Sequence, residues 1–302
     1  MKVGIVGSGL VGATAGYALV VGDLVSELVF IDKNVARAEG EAMDVSHATP
    51  FSHPARVSAG DYRDLAGSRL VIVAAGANQK PGETRLDLTA KNAAIFREII
   101  PQITRYAPEA ILLIATNPVD VLTHVAWQAS GLPKERVIGS GTTLDTARLR
   151  ALVAARAQVS SHNVHGYVLG EHGDSEIVNW SSTYIAGSRL YDYFAQRQLP
   201  WSQTSEAEIA HDVRRAAYEI IERKGATYYG VATALARIAE ALLQDQHAVL
   251  TVAMSDGRVA YSLPRVLGRD GVLATLEVGL SESERAGLNA SIAVIREVIE
   301  AL

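Results

Sequence analysis

The sequence predicts an α/β fold, a doubly wound parallel sheet followed by a mixed α+β unit. Three observations carry this expectation. Short, almost wholly apolar runs such as residues 70–75 and 111–115 alternate with longer amphipathic stretches through the first half. A glycine-rich turn joins the first such run to the first amphipathic stretch. The second half changes character, with apolar and polar residues alternating in successive runs. Continuous apolar strands with helical crossovers belong to a parallel sheet covered on both faces, whereas alternation belongs to antiparallel strands.

Taken in order, residues 2–6 read as a strand, 10–21 as a helix, 27–32 as a strand, 35–48 as a helix and 56–60 as a short strand. The apolar runs 70–75 and 111–115 read as strands on either side of a long helical stretch, roughly 86–106, and 137–139 as the last strand of this half. Beyond it, 164–169 and 176–180 read as short strands around a loop, 207–224 and 228–243 as helices, and 248–254, 259–266 and 272–277 as antiparallel strands. Residues 281–302 read as a closing helix, with Ser281 as N-cap and Glu284 completing a capping box. The division is expected as 1–141 for the first unit and 142–302 for the second. No linker separates them, so the two should pack directly against each other.

A chain of 302 residues that is 48% hydrophobic is ample for two units sharing an interface. The net charge of -5, from 28 Lys+Arg against 33 Asp+Glu, gives no footprint for nucleic acid or an anionic membrane. The absence of cysteine rules out disulfides, thiolate metal sites and a thiol nucleophile, and no metal site is expected. Met1 and Lys2 run straight into the first strand, and no run of about 18 apolar residues occurs. The expectation is a cytoplasmic protein with neither signal peptide nor membrane span.

Gly7-Ser8-Gly9-Leu10-Val11-Gly12 fits G-x-G-x-x-G, a weak signal alone but a strong one between a strand and a helix. Gly7 permits the tight turn, Gly9 lets the backbone approach a pyrophosphate, and Gly12 lets the helix pack close to the strand. The helix start, at Leu10 and Val11, offers free N–H groups and a positive dipole end to phosphates. Asp32 ends the second strand where an acid should meet the adenosine ribose hydroxyls. A carboxylate there would repel a 2′-phosphate, so NAD is favoured over NADP. The first unit thus reads as a Rossmann-type dinucleotide-binding domain.

Three further segments place polar residues where the pattern expects strand ends. The first, residues 78–85, contains Pro81, Gly82 and Arg85 but no apolar anchor. It reads as a mobile surface loop that closes over a site, with Arg85 as the charge it delivers. In the second, Leu144 to Arg148, a helix would put Asp145 and Arg148 on one face. They would either form a simple salt bridge or serve different partners, Arg148 gripping a carboxylate with its planar fork and Asp145 orienting a base. In the third, Gly170-Glu171-His172-Gly173-Asp174, the histidine sits in tight, acid-flanked backbone rather than on an apolar helix face, which favours an acid/base role over a structural one.

These segments, together with Ala115-Thr116-Asn117-Pro118-Val119-Asp120 and Ile138-Gly139-Ser140-Gly141-Thr142, resemble the L-lactate/malate dehydrogenase family along essentially the whole chain. The pattern is similar to the family's bacterial L-lactate dehydrogenase branch. The resemblance implies that His172 exchanges a proton with the substrate oxygen, that Asp145 holds its other ring nitrogen, and that Arg148 binds the substrate carboxylate. It implies that Arg85 polarises the carbonyl, that Asn117 helps place nicotinamide and substrate, and that Thr227 lines the pocket. It implies pyruvate and L-lactate as substrates, a place in glycolysis and fermentation, and a homotetramer. Arg150 and His165 match positions that bind fructose 1,6-bisphosphate across a subunit interface in allosteric relatives, although non-allosteric ones share them.

Gln79 bears on the substrate. Dicarboxylate-using members generally carry arginine there, and a second carboxylate facing a neutral amide in a closed, dry site would be buried unpaired. Pyruvate is therefore expected over oxaloacetate, with malate dehydrogenase or a broader 2-hydroxy acid dehydrogenase as the alternative. NAD-dependent glycoside hydrolases share a related fold but are longer and need a metal. A non-catalytic NAD sensor would have no need to keep Arg85, Asp145, Arg148 and His172 together.

Overall fold

The structure, a computed structural model, describes residues 1–77, 82 and 84–302, with the side chain of Arg85 outside that description. Most of the expected closing loop, including Gln79, therefore lies outside the described residues.

The first half builds β1 (Lys2–Val6), α1 (Leu10–Val21), β2 (Glu27–Ile31), α2 (Val35–Ala48), β3 (Arg56–Ala59), β4 (Leu70–Val73), α3 (Arg85–Tyr106), β5 (Ile111–Ile114), α4 (Val119–Ser130) and β6 (Val137–Gly139). Its strands pair in parallel in the order β3-β2-β1-β4-β5-β6. The sheet therefore reverses direction between β1 and β4, the switch point at which doubly wound folds bind their ligands. Side chains explain the two covered faces. Val3, Ile5, Leu28, Phe30, Leu70 and Ile72 enter one core, while Val6, Val29, Ile31, Val71 and Val73 enter the opposite one. Helix α4 is an element the sequence reading did not propose. All but three of its twelve residues are buried, so it has no polar stripe from which to read a period.

The second half adds α5 (Thr143–Ala157), β7 (Val164–His165), β8 (Val168–Leu169), β9 (Ile177–Val178), β10 (Tyr184–Ile185), β11 (Ser188–Arg189), α6 (Leu190–Gln196), α7 (Gln203–Lys224), α8 (Tyr229–Leu243), β12 (Ala248–Ser255), β13 (Ala260–Gly268), β14 (Gly271–Thr275) and α9 (Glu282–Glu300). The single strand expected over 164–169 is two strands in different sheets: β7 pairs with β10, and β8 pairs with β9. Buried Gly166 separates them, with Thr183 where a side chain would otherwise stand. Ser281 and Glu284 form the expected capping box at α9.

The two halves are joined more intimately than side-by-side packing. Antiparallel β12, β13 and β14 continue the first sheet, with Ala253 of β12 paired to Gly139 of β6. Leu235, Ile238 and Leu242 of α8 enter the same core as β1 and α1. Among the described residues, no helix is long and apolar enough to cross a membrane.

Candidate active site

The carboxyl ends of β1, β2, β4, β5 and β6 carry the segments singled out in the sequence. After β1 the chain turns through Gly7 at φ +101°, a left-handed conformation that side-chain-bearing residues avoid. A Cβ on Gly12 would stand 2.0 Å from the Gly7 carbonyl oxygen, so only glycine lets α1 sit this close to the turn. Gly9 is different, because a Cβ there would meet nothing within 4 Å. Its bareness leaves open space beside the N-terminus of α1, where no side chain caps the first turn at Leu10 and Val11. Ser8 Oγ at the same turn is buried without a partner among the described residues. Together these form a cradle suited to a phosphate group. Asp32 braces it: Oδ2 accepts from the Ser8 N–H at 2.8 Å and Oδ1 from the Asn34 N–H at 2.9 Å.

Beyond β4 and β5 the backbone is held by a residue the sequence reading passed over. Buried Asn92 of α3 accepts from the Ala77 N–H at 2.8 Å and donates to the Asn117 carbonyl at 3.2 Å. It ties the root of the expected loop to the segment bearing Asn117. Arg85 opens α3, whose start is fixed by a reciprocal capping box between Thr84 and Asp87; its side chain lies outside the described residues.

Three of the chemical candidates meet. His172 Nδ1 lies 2.6 Å from Asp145 Oδ2, and because a carboxylate only accepts, the ring nitrogen donates. Arg148 Nη1 donates to Asp145 Oδ1 at 2.8 Å. The sequence reading treated the Asp145–Arg148 salt bridge and service to separate partners as opposed, yet the structure has the salt bridge and a histidine on the other oxygen. Asp145 is 3% exposed at its side chain, Arg148 16% and His172 25%. Burial alone would push the Asp145 carboxyl up, but His172 and Arg148 outweigh it and hold it below its ordinary value. The Asp145 carboxylate in turn raises His172 to about 9, against the lowering effect of burial.

Long-range contacts fix this geometry. Thr142 donates to the Val168 carbonyl, Thr146 Oγ1 accepts from the Val168 N–H at 3.0 Å, and Thr143 donates to the Thr251 carbonyl at 3.2 Å. These bonds fasten the start of α5 to β8 and β12. The histidine loop is clamped from two helices. Ser291 of α9 accepts from the Glu171 N–H at 2.8 Å, and Asp120 of α4 accepts from the His172 N–H at 2.7 Å. Asp120 was quoted in a motif but given no role. Burial pushes its carboxyl up to about 7.

Other candidates lie apart. Thr227 is half-buried in the link between α7 and α8, shortly before Gly230 of α8, which faces Leu144 at the start of α5. Arg150 donates from Nε to the Gly166 carbonyl at 3.2 Å and stacks over the Tyr167 ring, beside exposed His165 of β7.

The family model described as lactate/malate dehydrogenase, NAD binding domain, matches residues 1–139, and that for the alpha/beta C-terminal domain matches 142–302. The chain belongs to the lactate/malate dehydrogenase family. Among its relatives in that family is the L-lactate dehydrogenase of Deinococcus radiodurans, 53% identical over 98% of this chain and 97% of its own. That of Thermus aquaticus is 51% identical over 100% and 99%. Among solved structures, a lactate dehydrogenase from a Medee basin deep-sea metagenome library aligns with TM-score 0.96 at 42% identity, covering 99% of this chain and 98% of that one. The minor L-lactate dehydrogenase of Enterococcus mundtii aligns with TM-score 0.96 at 39% identity, covering 100% and 98%. The dinucleotide that the phosphate cradle takes in this family is NAD, and the residues here fit it.

The glycine turn makes opposite demands at two positions. Gly12→Ala should cost about 1–3 kcal/mol of stability, because its methyl meets fixed backbone. Gly9→Ala should leave stability within about 0.5 kcal/mol and still weaken NADH binding, because its methyl enters the open cradle. Denaturant unfolding and NADH fluorescence titration of both variants check this; a stable, tightly binding Gly9→Ala would sink the assignment of that space to the cofactor.

Proposed function

We propose that this protein is an NAD-dependent L-lactate dehydrogenase that reversibly reduces pyruvate to L-lactate, with residues 1–141 as the cofactor half and 142–302 as the substrate half. The observation that carries this is the Arg148–Asp145–His172 chain. It joins a carboxylate-binding fork, a buried orienting acid and an imidazole poised to move a proton.

NADH supplies the hydride to the carbonyl carbon when bound. The protein residues do the rest. The phosphate cradle and Asp32 hold the pyrophosphate and adenosine ribose, and Asn117 helps seat nicotinamide and substrate. Arg148 receives the pyruvate carboxylate through two parallel hydrogen bonds. His172, protonated and anchored at Nδ1, donates from Nε2 to the carbonyl oxygen as the hydride arrives, giving the lactate hydroxyl. Asp145 keeps the ring in the one orientation that points Nε2 outward, the logic of a catalytic triad. Arg85, delivered with the segment before α3, stabilises the developing oxyanion, and Thr227 lines the pocket. Gln79 leaves no positive charge for a second carboxylate, which disfavours malate and oxaloacetate. The reaction draws on a shared NADH pool, which fits the cytoplasmic location and fermentative role expected from the sequence.

We also propose a homotetramer in which Arg150 and His165 receive fructose 1,6-bisphosphate. The support is their closeness along one edge, Arg150 being bonded to the residue after His165. Paired cations facing a subunit axis repel until a phosphate lies between them, so filling the site favours the assembled form.

Three outcomes are expected. With NADH at neutral pH, pyruvate should be reduced about a hundredfold or more faster per unit concentration than oxaloacetate, and Gln79→Arg should move the preference toward oxaloacetate; an unchanged ratio in the variant would remove Gln79 from the argument. Asp145→Asn should lower kcat and move the alkaline limit of pyruvate reduction from near 9 toward 6.5. The sign follows because reduction needs protonated His172, and loss of the neighbouring carboxylate weakens its hold on the proton; an unmoved limb would contradict the pairing. Fructose 1,6-bisphosphate should lower the apparent KM for pyruvate in a rate assay at low pyruvate, and no drop would dismiss the effector site.

A further inference from the structure

Behind the Asp145–His172 pair lies a third titratable group to which the mechanism gives no task. Glu176 follows the histidine loop and is 5% exposed. A Glu176 carboxyl oxygen, an Asp145 carboxylate oxygen and a His172 ring nitrogen all lie within 4.8 Å of one another. Glu176 Oε1 is buried without a hydrogen-bond partner among the described residues. Two ionised carboxylates this close in a dry setting repel strongly, and an ionised oxygen with no donor leaves its charge unsolvated. A neutral acid escapes both penalties. Glu176 also lines a cavity of about 240 Å³ with Trp180, Arg214 and Glu284. That cavity gives its proton a route of exchange with water.

We propose that Glu176 is a positioning residue held as a neutral acid behind the Asp145–His172 pair, and that it must keep its proton for the substrate anion to be bound and protonated. This rests on the dehydrogenase reading above. The charged groups around it are Asp145 and Arg148 of α5, His172 of its own loop and Arg214 of α7. Glu284 of α9 shares the cavity but spends its carboxylate on Ser181 and on the capping of α9. Burial first, and then Asp145, push Glu176 up to about 9 against the pull of His172, Arg148 and Arg214. Were Glu176 ionised, its charge would oppose the substrate carboxylate at Arg148 and would compete with Asp145 for the His172 proton. The same surroundings make this trio a proton-binding site rather than a metal-binding one. A cation would have to displace protons from both His172 and Glu176 and stand beside the Arg148 guanidinium.

Because His172 also titrates near 9, the two protons leave as a coupled pair. The value of kcat/KM for pyruvate, at saturating NADH, should therefore fall about a hundredfold per pH unit at the alkaline extreme in the wild type. In Glu176→Gln, a fixed neutral isostere, it should fall about tenfold per unit. Glu176→Met, apolar and unbranched, should show the same one-proton limb and serves if the glutamine variant does not fold. A one-proton limb in the wild type, or a two-proton limb in the variants, would overturn the proposal. Infrared spectroscopy at neutral pH gives a readout independent of turnover: the carbonyl stretch of a protonated carboxylic acid should be present in the wild type and diminished in Glu176→Gln. Equal bands would overturn the neutral acid. Failure of the wild type to reduce pyruvate would instead strike the dehydrogenase reading and leave the infrared arm to decide the state of Glu176.

Discussion

A carboxylate sealed from water stays ionised only if positive charge stays beside it, and this site depends on that constraint at Asp145. One oxygen faces Arg148 at 2.8 Å and the other faces His172 at 2.6 Å. Each partner is held by the same negative charge, so neither can move without leaving the acid uncompensated, a loss of several kcal/mol for a buried pair. The coupling does two things at once. It raises the basicity of His172, and it fixes the direction in which the fork of Arg148 points.

Such a pairing is precise only if its scaffold is rigid. Asp145 and Arg148 lie on α5, His172 on the loop after β8, and the bonds of Thr142 and Thr146 to Val168 hold these elements in register. Asp120 reaches across from α4 to the His172 backbone, so a helix of the cofactor half fixes a loop of the substrate half. The sheet runs on from β6 into β12 for the same reason: an active site assembled from both halves needs a seam that does not slide. Positioning of this kind carries catalytic weight, because a displacement of about 1 Å can cost a hundredfold in rate.

Much of this was legible in the sequence, and what was not has a common cause. β1, α1, α2 and β6 have the expected bounds, since each is set by local features: an apolar run, a glycine turn, a periodic face. His172, Asp145 and Arg148 were identifiable because a polar cluster in a tight or helical context is itself a local signal. Asn92, Asp120 and Glu176 escaped. Asn92 looks like one more polar residue on a long amphipathic helix, and its meaning appears only when its side chain bridges Ala77 and Asn117. Asp120 sits in a first helical turn, where an acid has an ordinary capping rationale. Glu176 sits among acids and hydroxyls that suggest a surface. Beside it lie Ala210 and Arg214 of α7 and Ser283 and Glu284 of α9, tens of residues away in the chain. The split of 164–169 into β7 and β8 has the same origin, because which partner a short strand takes is a property of the fold.

The arrangement also accounts for how a site with so much buried charge can wait for an anion. Arg148 is bonded to Asp145 through one nitrogen, Nη1, and on the proposed reading the rest of its planar fork meets the substrate carboxylate. The arriving substrate then adds a negative charge to a cluster already holding Asp145. The cluster tolerates it only while positive charge is in excess, which requires His172 to carry its proton. Substrate binding and protonation are thus one electrostatic event: the anion is welcome in the state of the histidine that can deliver a proton to it. On the proposed reading, a keto acid with a single carboxylate satisfies that balance.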